Sequence, residues 1–381
     1  MGDRTLRVAI VHYWLVNMRG GERVVEALCE LYPDADIYTH VAEPEVLSDT
    51  IRGHRIQETF IARLPGARRH YQKYLPLMPL ALEQLDLRAY DLVISSECGP
   101  AKGVITTPRT LHLCYCHSPM RYVWDMYWDY LRDVSRPMRP LARVLLHYLR
   151  RWDLASAFRV DHFMANSDFV ARRVRKHYRR DAHVIHPPVD TEAFGLAEST
   201  ADYYLMVGEL VPYKRADLAV SAFSRAGKRL VVIGAGEQLS ELRRLAGPTV
   251  EVMGRQPAFV IREKYAHCRA LLFPGEEDFG IVPIEAMASG RPVIAYRRGG
   301  ALETVVEGRT GLFFDEQTED SLLAAVERFE EIEETFDPAD IRRHAMGFDK
   351  QVFKAKFRAR AERLMEEHKA GLTRPTGSLP V

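Results

Sequence analysis

The sequence predicts an α/β protein of two doubly wound, Rossmann-like domains facing a cleft, and three observations predict it. Short β-rich apolar runs alternate with longer amphipathic stretches along nearly the whole chain, the pattern of repeated β-α-β units. The alternation breaks once, at Pro187-Pro188-Val189-Asp190 and the small, polar stretch 195–202, and then restarts. The length of 381 residues, at roughly 150 per domain, accommodates two domains with ample core.

The elements follow in order. Strands are expected at 6–12, 92–95, 111–116, 162–165 and 184–186; after the first come Gly20-Gly21 and a helical pattern, Val24, Val25, Leu28 and Cys29. Proline and small polar residues favour an extended connection, which sets the expected domains at 1–195 and 196–350. The second half restarts with strands at 203–208, 230–234, 250–254, 270–273 and 292–295. A charged stretch with Phe353, Phe357 and Leu364 on one face predicts a helix over 351–370, crossing back to the first domain. The Pro/Gly/Ser/Thr-rich tail 371–381 is expected to fray. In such folds ligands bind at the carboxyl ends of the strands.

Composition removes several function classes. Lys and Arg number 53 against 52 Asp and Glu, a net charge of +1, without the basic excess of a nucleic-acid binder. Hydrophobic content of 47% and charged content of 28% exclude wholesale disorder. The cysteines, Cys29, Cys98, Cys114, Cys116 and Cys268, are odd in number with no Cys-x-x-Cys pair. That indicates neither disulfide framework nor zinc site, and suits a reducing cytosol. The apolar run 6–11 contains Arg7 and is too short for a signal peptide. No stretch approaches the roughly 18 to 20 apolar residues that span a bilayer, so a membrane would be met by a protein lying on it.

Four segments carry candidate chemistry. Gly20-Gly21-Glu22-Arg23 follows the first strand and opens a helix, where backbone N–H groups can approach a phosphate or sugar; a flexible turn is the plainer reading. His117, in Tyr115-Cys116-His117-Ser118-Pro119, ends an inner strand and suits a substrate hydroxyl or acid–base work. Of 14 histidines, however, His12 and His186 also lie near strand ends. Gly208-Glu209-Leu210-Val211-Pro212-Tyr213-Lys214-Arg215 places two cations at a helix start, where the macrodipole disfavours them unless an anion binds. The most informative segment is 273–286. Glu277 and Glu285 flank Phe279-Gly280-Ile281-Val282, with Pro283 expected at the first helical position and Glu285 in the first turn. Two carboxylates suit paired hydroxyls of a hexose and a ribose, while the backbone N–H groups between them suit phosphate. A glycosidase pair is the rival, but the polar loop gives no reason for the raised pKa that it needs. Gly234-Ala235-Gly236 has Leu239 where a dinucleotide fingerprint needs glycine and reads as a tight turn. Asp34-Ala35-Asp36 reads as a turn or cap rather than a metal site.

Taken together, the motifs resemble the retaining nucleotide-sugar glycosyltransferases of family 4, with the GT-B fold. The resemblance rests on Gly20-Gly21-Glu22-Arg23, His117-Ser118-Pro119, Asn166-Ser167, Pro187-Pro188-Val189-Asp190, Lys214-Arg215, Glu277 to Glu285 and Gly299-Gly300-Ala301-Leu302-Glu303-Thr304, in family order. The stretches from Tyr71 to Gln84 and from Cys116 to Tyr122 look like a mannosyltransferase subgroup of polysaccharide and O-antigen assembly. The resemblance implies a nucleoside diphosphate sugar as donor, with GDP-mannose favoured, and no metal or other cofactor. It implies Gly21 beside the donor phosphate and sugar, His117 at the transferred hexose and Lys214 on the leaving diphosphate. Glu277 would hold sugar hydroxyls and Glu285 the ribose.

One position departs from the pattern. Relatives carry an arginine where Glu209 stands, and a carboxylate cannot bind phosphate directly. Either Arg215 or another cation substitutes, or Glu209 orients Lys214 or meets another part of the ligand. A missing charge-assisted hydrogen bond, worth about 1.5 to 3 kcal/mol, would cost roughly ten- to a hundredfold. On the acceptor side Arg68, Arg69 and Lys73 interleave with aromatic residues, suiting an anionic membrane surface or a lipid-linked glycan as well as a solvated helix. Tyr122 and Trp124 are placed on the same side; Trp124, Trp128 and Trp152 suit sugar stacking, although tryptophans also fill cores. The expected location is the cytoplasm, with peripheral contact at the inner face of a membrane. A nucleotide-sugar epimerase of the same architecture, and a donor-binding subunit without catalysis, are the alternatives.

Overall fold

Apolar runs buried on both faces build two all-parallel sheets, seen in a computed structural model that describes residues 6–97 and 99–373. One unit comprises the chain up to His186 together with Phe353 onward; the other is Pro187–Val352. The first sheet holds β1 (Val8–His12), β2 (Asp36–Thr39), β3 (Ile56–Glu58), β4 (Leu92–Glu97), β5 (Leu111–Cys116), β6 (His162–Ala165) and β7 (Ala182–Val184). Its order is β3-β2-β1-β4-β5-β6-β7. The second holds β8 (Tyr204–Val207), β9 (Leu230–Ile233), β10 (Val250–Gly254), β11 (Leu271–Phe273), β12 (Val293–Tyr296) and β13 (Gly311–Phe314), in the order β10-β9-β8-β11-β12-β13. Each sheet reverses direction of growth once, at β1/β4 and at β8/β11. Such a switch point leaves a crevice beyond the carboxyl ends of the two strands.

The two α/β units are those the alternation predicts, but four strands differ. β2, β3 and β13 were not expected. β3 is a short edge strand with a polar centre, and β13 opens on Gly311, where a side chain would come within 2.0 Å of the Val293 carbonyl. β7 ends two residues earlier than expected, although Ile185 still donates to the Ala165 carbonyl at 2.9 Å. The unit boundary falls at Pro187 rather than 196. Val189 donates to Phe348 at 3.1 Å and accepts from Lys350 at 2.9 Å, which ties the linker into the second unit. The polar stretch 195–202 follows it there, with Ala201 donating to the His267 carbonyl at 2.7 Å.

The last helix, Lys350–Thr373, carries Phe353, Phe357, Ala361, Leu364 and Met365 on one buried face, packed in the first unit's core with Tyr115. Tyr115 meets Phe353 edge-on at 5.6 Å and donates to the Ile185 carbonyl at 2.8 Å. The expected frayed tail begins too early, since 371–373 are helical; the remainder, 374–381, lies outside the described residues, as do 1–5 and Cys98. The four described cysteines are buried, and no described helix is long and apolar enough to cross a membrane.

Several polar groups are sealed into the first unit. Lys102 and Asp153 form a fully buried ion pair, and Asp153 also accepts from the Trp124 indole at 2.7 Å and the Tyr178 hydroxyl at 2.9 Å. Those extra bonds offset the desolvation that a bare pair would suffer. His40 bonds Thr59 at 3.0 Å and His112 bonds Ser95 at 2.9 Å. Burial pushes His12 and His40 down to about 3 and His112 to about 4. These imidazoles stay neutral in the folded chain but take up protons near pH 6.5 once unfolded. Stability is therefore full above pH 6.5 and falls on acidification toward pH 4, by at most about 1.4 kcal/mol per pH unit for each imidazole. Thermal melts across that range check this; a midpoint that does not move would contradict it.

Candidate functional site

In the first unit, the switch point gathers residues from three strands. The β1–β4 register sets His12 beside Ser96, and His117 follows β5 directly. His117 Nε2 lies 2.8 Å from the Ser96 hydroxyl, and its ring packs edge-on against Tyr115 at 5.2 Å. His12 is fully buried, and neither ring nitrogen makes a hydrogen bond of ordinary geometry. Its low pKa comes first from burial and then from His117, with the Ser96 backbone opposing. The helix Gly20–Leu31 begins here on Gly20-Gly21. A side chain on Gly21 would come within 3.0 Å of the Tyr13 hydroxyl, 3.4 Å of the His12 ring and 3.8 Å of His117 Nε2. Glycine thus keeps the first-turn amides open beside two imidazoles, a setting for an anion or a sugar hydroxyl.

In the second unit, Lys214 and Glu277 come together from the loops after β8 and β11. Lys214 Nζ is 2.9 Å from Glu277 Oε1, with both side chains largely buried. Burial pulls the lysine pKa down, but Glu277, Tyr213 and Glu209 outweigh it and leave the net shift upward, so the ammonium persists throughout the neutral range. The negative charge of Glu209 therefore acts on Lys214. Arg215 is committed elsewhere: its guanidinium lies 3.2 Å from Asp217 and 3.4 Å from Gln317. Its backbone is left-handed, with φ of 56°.

Close backbone packing fixes the acidic loop. A side chain on Gly275 would meet the Lys214 Cα at 2.7 Å, and one on Gly300 would meet the Phe279 Cα at 2.3 Å. Gly300 donates to the Glu277 carbonyl at 2.9 Å. Phe279 is buried against Phe348, with ring centroids 5.8 Å apart, so it anchors the loop from the core. Gly280, with φ of +87°, turns the chain into the helix Ile281–Ala288, whose first amides, Ile281 and Val282, have no partner within the helix. The helix starts earlier than expected. Pro283 is its third residue rather than its first, tolerated because a first-turn N–H has no helical acceptor in any case, and Glu285 stands in the second turn. The Tyr265 hydroxyl donates to Glu285 Oε2 at 2.8 Å. Burial and then Glu285 push that phenol far up, so it stays a donor. Gly234-Ala235-Gly236 is not itself the expected tight turn: Gly234 still donates to the Gly254 carbonyl at 3.0 Å, and the chain turns after it, where Leu239 donates to the Gly236 carbonyl at 3.2 Å; a side chain on Gly234 would strike the Gly208 carbonyl.

The expected acceptor-side residues divide. Arg68 is spent within the fold, on Glu58 at 3.2 Å and on the Ala42 carbonyl. Arg69 and Lys73 are exposed, and Tyr122 is half-buried. Trp124 is anchored by Asp153 and has one face stacked on His177 at 4.6 Å. Trp152 is a core residue bonded to Glu83 at 3.0 Å. No cluster of three or more His, Cys, Asp or Glu able to hold a metal occurs among the described residues, and Asp36 simply opens β2.

Two sequence profiles match consecutive parts of the chain: Glycosyltransferase Family 4 over residues 18–193, and Glycosyl transferases group 1 over residues 188–346. The chain is related to the family 4 and group 1 glycosyltransferases. An uncharacterised glycosyltransferase of Methanocaldococcus jannaschii is 26% identical over 202 residues, 52% of this chain and 55% of the relative. The α-1,3/1,6-mannosyltransferase alg2 of Schizosaccharomyces pombe is 26% identical over 272 residues, 58% of this chain and 52% of the relative. The chain thus spans about half the length of these relatives. Among solved structures, HepE of Anabaena in complex with UDP-glucose superposes with a TM-score of 0.66 at 15% identity, over 93% of this chain and 99% of HepE. Sucrose-phosphate synthase of Thermosynechococcus elongatus gives 0.69 at 17% identity, over 95% of this chain and all of that one. The fold is therefore GT-B.

In this GT-B chain the sequence marks both partners of the Lys214–Glu277 contact, but only one partner of each of the others. Ser96 and Tyr13 carried no signal, His12 was one strand-end histidine among several, and Tyr265 sits on a helix remote in sequence from Glu285. The glycine packing generates a direct test. Gly300→Ala is expected to destabilise the second unit by about 1 to 3 kcal/mol through overpacking. Gly347→Ala, which meets nothing within 4 Å, should be near neutral. Equal urea midpoints for the two variants would contradict the packing argument.

Proposed function

We propose that the chain transfers a hexose from a nucleoside diphosphate sugar to a hydroxyl of a glycan or lipid-linked acceptor. The observation that carries this reading is the second unit's switch point, where one persistent ammonium and two carboxylates border the open amides of a helix start. The ammonium of Lys214 neutralises the departing diphosphate, and the amides of Ile281 and Val282 receive its oxygens. Glu277 accepts hydrogen bonds from sugar hydroxyls and also holds Lys214, while Glu285, oriented by Tyr265, grips the ribose. In the first unit His117 is assigned to the transferred hexose and Gly21 to the donor. The acceptor oxygen bonds to the anomeric carbon as the bond to diphosphate breaks, and the acceptor proton is released. The transfer retains anomeric configuration, as in the family that the motifs resemble.

Mannose from GDP-mannose is the favoured donor, supported by the subgroup motifs and by the likeness to alg2. The HepE complex with UDP-glucose supports a glucose-linked donor as the competing choice. Thermal stabilisation by GDP-, UDP- and dTDP-sugars ranks them, because a ligand raises apparent stability by mass action. Lys214→Ala and Glu285→Ala are expected to lower turnover at least about tenfold with the melting midpoint retained. Unchanged turnover in both variants would remove the site assignment. His117→Ala should reduce transfer more than donor affinity. Interconversion of the sugar by the chain with donor alone would instead identify an epimerase.

A further inference from the structure

The first unit carries a surface that the donor chemistry does not use. The helices Tyr127–Asp133 and Arg139–Ala157, with the turn between them, expose Trp128, Tyr130, Met138, Leu141, Val144 and Tyr148 within 21 residues; Leu141 and Val144 are 61% and 69% accessible. On the longer helix Leu141, Val144 and Tyr148 are spaced i, i+3, i+7 and form one stripe. Arg143, His147 and Arg151, spaced i, i+4, i+8, form a second stripe beside it. The buried face, Leu149, Trp152, Asp153 and Ser156, lies about a quarter turn from the apolar stripe and opposite the basic one, so the helix is fixed with both stripes outside the core. Asp153 further locks it through Lys102, Trp124 and Tyr178.

Charge accompanies the apolar residues. Residues 127–151 hold six arginines and two aspartates, a net +4, against +1 for the whole chain. Arg132 pairs with Asp129, and Arg139 bonds the Val134 and Arg132 carbonyls. Arg136, Arg143 and Arg151 are exposed and form no ion pair among the described residues.

We propose that this face rests on an anionic lipid bilayer. Leu141, Val144 and Met138 enter the boundary between headgroups and acyl chains, Trp128, Tyr130 and Tyr148 sit at headgroup level, and the three free arginines meet lipid phosphates. A second copy of the chain is the less suitable occupant. A two-fold interface sets the same patch against itself, +4 against +4. This inference does not depend on the donor assignment. It also differs from the membrane contact expected at Arg68, Arg69 and Lys73, of which Arg68 is already held by Glu58.

The test is co-sedimentation of the full chain with vesicles of phosphatidylcholine and phosphatidylglycerol in equal parts, against phosphatidylcholine alone. Binding to the anionic vesicles is expected to exceed binding to the neutral ones and to weaken with added salt. The double variants Leu141→Glu/Val144→Glu and Arg136→Glu/Arg143→Glu should each lose at least about tenfold in vesicle affinity. All four positions are exposed, and unchanged circular dichroism and melting would verify the fold. Arg69→Glu/Lys73→Glu should bind as the parent does. Equal or absent binding to the two vesicle types, or parent-like binding by either double variant on this face, would overturn the proposal. So would a dimer in sedimentation analysis that Leu141→Glu/Val144→Glu abolishes.

Discussion

The pKa of a lysine as enclosed as Lys214 stays above its ordinary value because a carboxylate touches it. Burial alone would drive the ammonium toward neutrality; the contact with Glu277, reinforced by Glu209 and Tyr213, reverses that tendency. Much of the second unit's local architecture serves to hold this contact. Gly275 lets the β11 loop press against the Lys214 backbone, and Gly299-Gly300 let the following loop lock the Glu277 carbonyl. The departure at Glu209 acquires a physical account here. Its negative charge favours the ammonium of Lys214.

The first unit solves a different problem with similar topology. Its switch point holds imidazoles rather than a buried ion pair, and one of them, His12, is kept neutral by burial. A neutral ring beside a helix start does not compete with the amides for an anion, whereas an imidazolium there would repel the helix dipole. Gly21 completes the arrangement, since any side chain would crowd Tyr13 and both histidines. Unit one thus offers hydrogen-bonding surface with little net charge, and unit two offers concentrated charge.

The buried Lys102–Asp153 pair links the interior of the first unit to its outer surface. It fixes the helix that bears Leu141, Val144 and Tyr148, and the same aspartate positions Trp124. An apolar stripe on a helix free to rotate would turn inward. One pinned along its flank by an ion pair and by Trp152 remains presented to solvent.

By itself the sequence determined what depends on neighbours along the chain. Alternating apolar runs specify strands, Phe353, Phe357 and Leu364 specify one helix face, and the Glu277 to Glu285 spacing puts two acids around a helix start. These are legible because strand and helix periods are local. Tertiary structure alone decided which groups meet: His117 with Ser96 across two strands, Tyr265 with Glu285, Lys214 with Glu277, and Arg215 turned away onto Asp217. It also placed the unit boundary at Pro187, through the pairing of Val189 with Phe348 and Lys350 at the other end of the second unit's sequence. Those contacts follow from sheet order, which arises from long-range packing of whole units and leaves no periodic trace in the residues it brings together.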